Sequence, residues 1–274
     1  MLLRNEIKIS NLDQLLGLLW KDYMELNPAV EKIRELFTSQ GEVVVNDHVA
    51  FRTFDYPEMN ISVLAKTFMK YGYESKSEYH FEEKKLYALH FEHQDPKYPK
   101  IFISELLTKK MTPEVQRILE GLRAQVKPAF LARTDLATSG RPWNISIADY
   151  QTLKAQSEYA SWLSAYGFRV NHFTVLINAL KNYKHISEVN AALKKAGHQL
   201  NTSGGEIKGN PGEFLEQSST IAYNSKVPFT DGELTIPACY YEFAYRYPMS
   251  DGELYSGFVA KSADKIFEST NKGQ

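Results

Sequence analysis

Two short stretches hold the residues best suited to chemistry in this 274-residue chain: Asn46-Asp47-His48-Val49-Ala50-Phe51-Arg52 and Asn171-His172-Phe173-Thr174-Val175. Each sets a histidine behind Asn or Asp, at the head of a run rich in β-branched and aromatic residues. Such runs read as strands. Alternation puts His48, Ala50, Arg52 and Phe54 on one face, and His172, Thr174 and Leu176 on one face of the other run. A third run, Tyr240-Tyr241-Glu242-Phe243-Ala244-Tyr245-Arg246-Tyr247, sets Glu242 and Arg246 against a face of aromatics. The aromatic face belongs in a core, and the opposing carboxylate needs a partner, because burying a lone charge is costly. His48, His172 and Glu242 are the expected metal ligands. Two imidazoles and one carboxylate leave other coordination positions open, as in non-haem Fe(II) oxygenases. The same donors suit Mn, Co, Ni and Zn, but Fe(II) is the expected cofactor.

Arg52 shares the His48 face four residues along, roughly 13 Å at the rise of a strand. A metal at one end and a guanidinium at the other suit a short diacid. The metal would chelate the 2-oxo acid end while Arg52 forks a carboxylate. Gln217 and Arg246 are further candidates for contacting substrate oxygens. A lone strand histidine is more often structural than a ligand, so the matched places of His48 and His172 carry the weight.

The elements that must position these residues fall into two similar halves. Asn11 caps a helix carrying Leu12, Leu15, Leu16, Leu18 and Leu19, and Pro28 opens a second toward Gly41. This pair, residues 1–40, reads as a lid or buttress. Residues 41–107 read as strand 41–54, helix 60–71 with Ile61, Leu64, Phe68 and Met69 inward, then strands 73–79, 86–91 and 100–106. Residues 108–170 read as a helical insert, with helices at 112–126 and 145–166. Residues 171–247 repeat the order: strand 172–178, helix 186–196, then strands 199–202, 214–223 and 236–247. The expected class is α+β, with two βαβββ repeats forming a curved mixed sheet, or half-barrel, around the metal site within a single domain. The tail, 248–274, suggests no chemistry; its 252–265 stretch is expected to pack somewhere.

Hydrophobic residues make up 43% and aromatics 13% of the chain, which argues against extended disorder. A formal net charge of -1 gives no global field toward nucleic acid or an anionic membrane. Cys239 is alone, which excludes a disulfide framework and any Cys-based zinc cage. No apolar run reaches the length of a membrane span, and the first residues show no secretory pattern. A cytoplasmic protein is expected, with a homodimer left open.

At Asp47-His48-Val49-Ala50-Phe51-Arg52, Val170-Asn171-His172, Glu216-Gln217 and Tyr241-Glu242 with Arg246, the chain resembles the 2-oxoadipate dioxygenase/decarboxylase family. That family, long labelled a domain of unknown function, looks like a relative of the vicinal-oxygen-chelate fold. The resemblance implies Fe(II) on His48, His172 and Glu242, with Arg52 on substrate. It implies an intramolecular reaction, in which O2 removes the carboxyl group of a 2-oxo acid as CO2 and the remaining oxygen hydroxylates the same molecule. The family's characterised enzymes are longer, so the resemblance carries the reaction class further than the identity of the diacid.

Two other functions compete. A glyoxalase-type isomerase or lyase would add Glu105, at the end of the first-half strand Ile101-Phe102-Ile103-Ser104-Glu105, as a fourth ligand around Zn or Ni. A metal-free protein would only bind a small ligand. Glu105 is the discriminator, because an oxygenase keeps it off the ion.

Overall fold

Strands β1 (Asn46–Phe54) and β5 (Val170–Leu176) run antiparallel at the middle of an eight-stranded mixed sheet in the computed structural model, which describes residues 4–259. Beside β1 lies β4 (Lys100–Leu106) in parallel, followed outward by β3 (Leu86–His93) and β2 (Tyr73–Phe81). Beside β5 lies β10 (Tyr240–Arg246) in parallel, followed by β7 (Leu215–Ser219) and β6 (Lys208–Asn210). Helix α3 (Ile61–Lys70) follows β1, and helix α8 (Ile186–Lys195) follows β5. Each half therefore repeats strand, helix and three strands, and the sheet curls into a half-barrel.

The registers define an internal two-fold axis. Across the central pair His48 faces Thr174 and Ala50 faces His172, so the rotation that carries His48 onto His172 carries Ala50 onto Thr174. In the flanking parallel pairs Ala50 faces Phe102 and Thr174 faces Glu242. Phe102 is thus the first-half equivalent of Glu242, and Glu105 that of Tyr245.

Helix α1 (Leu12–Leu26) starts where the Asn11 side chain accepts from the Gln14 amide, a standard N-cap. It lies on the outer face of the central strands, with Trp20 4.9 Å from Phe173 and the Tyr23 hydroxyl donating to the Tyr240 carbonyl at 2.6 Å. Leu15 and Leu19 are fully buried there, each contributing about 1.5–3 kcal/mol. With α2 (Ala29–Thr38), this pair is a buttress behind the sheet.

Several expectations need correction. Residues 145–166 hold two helices, because Ser157 between them is extended (φ -157°). The shorter helices before them are α4 (Pro113–Arg123) and α5 (Pro128–Leu131); α6 spans Ile147–Gln156 and α7 Glu158–Tyr166. The Ser157 amide closes α6 on the Leu153 carbonyl while its side chain accepts from Ala160 at the start of α7. Residues 199–202 are not a strand; Leu200 makes an isolated bridge to Thr220. The stretch from 214 to 247 holds a hairpin that the sequence pattern hid, β8 (Asn224–Phe229) with β9 (Gly232–Pro237), turning at Thr230-Asp231. Met69 is 52% exposed, while neighbouring Phe68 fills the core.

Gly167 stops α7 at φ +68°, and a Cβ there would lie 2.4 Å from the Gly140 carbonyl oxygen. Only glycine permits both the left-handed backbone and that approach. No helix of the described residues is long and apolar enough to cross a membrane.

Candidate metal centre

His48, His172 and Glu242 converge on the inner face of the sheet from β1, β5 and β10. Their ligand atoms all lie within 4.8 Å of one another. Nε2 of His48 is 3.3 Å from Oε1 of Glu242, and Nε2 of His172 is 3.6 Å from Oε2. All three side chains are buried.

The residue ahead of each histidine fixes its ring. Nδ1 of His48 donates to Oδ2 of Asp47 at 2.7 Å, and Nδ1 of His172 to Oδ1 of Asn171 at 2.9 Å. Both Nε2 atoms thereby face Glu242, that of His48 with the Thr174 hydroxyl also 3.1 Å away, and an outer hydrogen bond of this kind sets the coordinating tautomer. Tyr240 stacks on His172 at 4.5 Å and 23°, and Phe258 meets His48 edge-on at 4.8 Å. Burial, with the charges of His48 and Arg52, pushes His172 well below the ordinary imidazole range.

Glu242 shows the strain of a site built for a cation. Burial raises its carboxyl, and this is opposed by the charge of His48 and by hydrogen bonds from Gln217 and Thr174. Gln217 Nε2 donates to Oε1 at 2.6 Å and the Thr174 hydroxyl at 3.2 Å, while buried Oε2 has no hydrogen-bond partner. A buried carboxylate with one oxygen beside each imidazole, and no hydrogen bond on the one beside His172, fits a divalent cation, which would satisfy all three donors.

The other expected residues take distinct places. Arg52 is buried, bonds Oε1 of Glu158 at 2.9 Å, and lies under the rings of Tyr159 and Trp162 at 4.8 and 5.1 Å. Gln217 holds the Glu242 carboxylate through its amide nitrogen, and its buried Oε1 has no hydrogen-bond partner. Arg246 does not turn to the cavity as expected. Its Nε and Nη2 grip both oxygens of Asp47, and Nη1 donates to the carbonyls of Tyr255 and Gly257. Burial alone would raise Asp47, but Arg246 and His48 hold its carboxyl far below the usual range.

Glu105 lies off the centre. Its Oε2 accepts from the Ile61 amide at the start of α3, and its register partner Thr53 is on the strand face opposite His48. At the true counterpart of Glu242, Phe102 packs against Phe258 at 4.8 Å. Sequence reasoning missed Glu158, Tyr159, Trp162 and Phe258. The first three lie on a helix whose start was hidden, and Phe258 lies in the tail given no role; residues 260–265 of that tail lie outside the described residues.

The family model for 2-oxoadipate dioxygenase/decarboxylase matches residues 9–138 and 120–253. The chain belongs to that family. Within it, a rice (Oryza sativa subsp. japonica) protein named 2-oxoadipate dioxygenase/decarboxylase, chloroplastic/amyloplastic, is 34% identical over 93% of this chain and 77% of its own length. The crystal structure of rice hydroxyglutarate synthase in complex with 2-oxoadipate superposes with a TM-score of 0.89 at 32% identity, covering 97% of this chain and 96% of that one. A Shewanella frigidimarina structure, described as a candidate hydrolase, also gives 0.89, at 51% identity over 93% of this chain and all of that one. The family to which the chain belongs is one of metal-dependent enzymes.

Proposed function

We propose that this chain is a non-haem Fe(II) dioxygenase that decarboxylates a small 2-oxo diacid of the 2-oxoadipate type and hydroxylates the same molecule. The observation that carries this reading is the meeting of His48, His172 and Glu242 around one point, with Phe102 where a fourth carboxylate would close the set. The relatives' names support the substrate class.

The reaction balances without an added reductant. The bond between C1 and C2 of 2-oxoadipate breaks and C1 leaves as CO2. One atom of O2 completes a carboxylate at C2 and the other becomes a hydroxyl on the adjacent carbon, giving 2-hydroxyglutarate. A bound Fe(II) supplies O2 activation and Lewis acidity toward the keto group.

The protein's own residues do the rest. Asp47 and Asn171 orient the two imidazoles, and Gln217 and Thr174 orient Glu242. Arg52 sits along the same strand to fork the distal carboxylate, which fixes the substrate end to end and supplies proximity. Phe102, Phe258 and Tyr240 line the centre and keep water out.

The isomerase alternative loses its distinguishing ligand, since Glu105 is spent on the α3 amide. The metal-free alternative leaves buried Oε2 of Glu242 unexplained. A cytoplasmic location belongs to the same proposal, supported by a lone cysteine that is buried and unpaired. The test is O2 uptake by the Fe(II)-loaded protein across a panel of 2-oxo acids, with products identified by mass spectrometry. Uptake with 2-oxoadipate matched by CO2 release is expected; silence across the panel with metal bound would favour an isomerase.

A further inference from the structure

The metal-binding side chains and Arg52 are at most 5% exposed, so substrate must arrive through an opening beyond them. Two surface cavities approach β1, one at each end. The cavity at the His48 end, about 340 Å³, reaches Asp47 and Arg246. Its charged lining sets Lys100 and Arg246 against Asp47, Glu92 and Glu253. The cavity at the Arg52 end, about 310 Å³, opens between the β2–β3 turn and the α6–α7 junction. There Lys84, Lys85 and Lys154 outnumber Glu83 and Glu158. Its inner wall is made by Glu158 and Tyr159, the residues that hold the Arg52 guanidinium.

We propose that this second cavity is the vestibule through which a dianionic 2-oxo acid reaches Arg52, and that Glu158 is the carboxylate it displaces from the guanidinium. The inference rests on the diacid reading above. A dianion is repelled by the first opening and drawn to the second, where a lysine-lined cleft raises capture rates by focusing its field. The volume suits a six-carbon diacid. Within the ion pair, Arg52 is 1% exposed and the Glu158 side chain 17%, so the glutamate is the partner already facing the opening. It is also the first residue of α7, next to the extended Ser157, where a small backbone change swings the side chain outward. Burial raises the Glu158 carboxyl, and the charges of Arg52 and Lys84 only partly offset this.

Trp162, 5.1 Å from the Arg52 guanidinium, provides a fluorescence reporter. The experiment is stopped-flow binding of 2-oxoadipate and of 2-oxohexanoate to the Fe(II)-loaded protein without O2, at several ionic strengths. Association of the diacid should slow more steeply with salt than that of the monoacid. The Lys84→Glu, Lys85→Glu, Lys154→Glu triple variant should associate about ten-fold more slowly at low salt with dissociation little changed. Lys154→Glu alone, on an exposed helix position, should show a smaller loss of the same kind and guards against misfolding of the triple. Lys100→Glu, at the other opening, should associate like the wild type, and Glu158→Gln should bind the diacid several-fold more tightly. Wild-type association by the triple variant, or a loss carried by Lys100→Glu, would overturn the route. Weaker binding by Glu158→Gln would overturn the displacement. Diacid binding without O2 consumption would count against the oxygenase reading alone, since the association rates would still locate the route.

Discussion

Arg246 grips Asp47 by both carboxylate oxygens, at 2.6 and 2.8 Å, although the two residues are 199 positions apart. The oxygen bound by Nη2 also accepts from His48 at 2.7 Å. A single carboxylate thus ties the last strand of the second half to a metal-binding ring of the first.

Removing the charge of Asp47 while keeping its shape should act on both partners. Asp47→Asn leaves Arg246 buried without its counter-ion, which should cost about 3–5 kcal/mol of stability. Metal affinity should fall by about 10–100-fold through loss of the ring's carboxylate. Denaturant titration and metal titration read the two effects. Asn171→Ala should lower metal affinity without the large loss of stability; equal stability losses in the two variants would refute the clamp.

Metal binding should depend on all three donors. At free Fe(II) one hundred-fold above its dissociation constant, the wild type should gain about 2.7 kcal/mol of stability. His48→Ala and Glu242→Gln should lose that gain, measured as the metal-dependent rise in Tm. A variant that kept the full rise would remove its residue from the ligand set.

Phe102 invites a gain-of-ligand experiment. Phe102→Glu places a carboxylate at the two-fold mate of Glu242. The metal-free variant should be less stable by about 3–5 kcal/mol, because a buried aromatic is lost. Zn or Ni should restore more of that stability than they add to the wild type, and O2 uptake should collapse. Thermal shifts with each metal decide the matter: unchanged metal response would mean that position 102 does not face the ion.

Arg52→Lys should weaken diacid binding at least ten-fold while leaving metal affinity near the wild-type value, because an ammonium cannot reproduce the guanidinium fork. Calorimetry with the metal and then with 2-oxoadipate separates the two. Equal losses would assign Arg52 a structural role.

The three converging side chains were legible because each obeys a local rule. His48, His172 and Glu242 sit on strands whose alternation is clear, and a repeat put them at matched places. For Arg246 two roles stayed open, a substrate contact or the neutralising of a buried carboxylate, because alternation shows which face a side chain leaves from but not which neighbour it meets; the structure pairs it with Asp47. Glu105 stayed open between ligand and strand-end carboxylate because the two halves are related by register rather than by the ends of their strands. The α6–α7 break rests on one serine within a helix-favouring stretch, and the β8–β9 hairpin fell mostly in the gap between the expected strands 214–223 and 236–247, where only its turn was marked. Glu158 and Trp162 could be linked to Arg52 only once α7 was placed, since that contact spans 106 residues between Glu158 and Arg52.

The junction of β1 with β5 has one further consequence. His48 stands on one side of it, and His172 and Glu242 on the other, so a captured cation stitches the duplicated halves together. The join is irregular, with register shifts on β1 between Asn46 and His48 and between Ala50 and Phe51. Stripping the metal should therefore speed amide hydrogen exchange along this join before it reaches the outer strands. Substitutions that merely pry the halves apart should then weaken metal binding without altering a single donor.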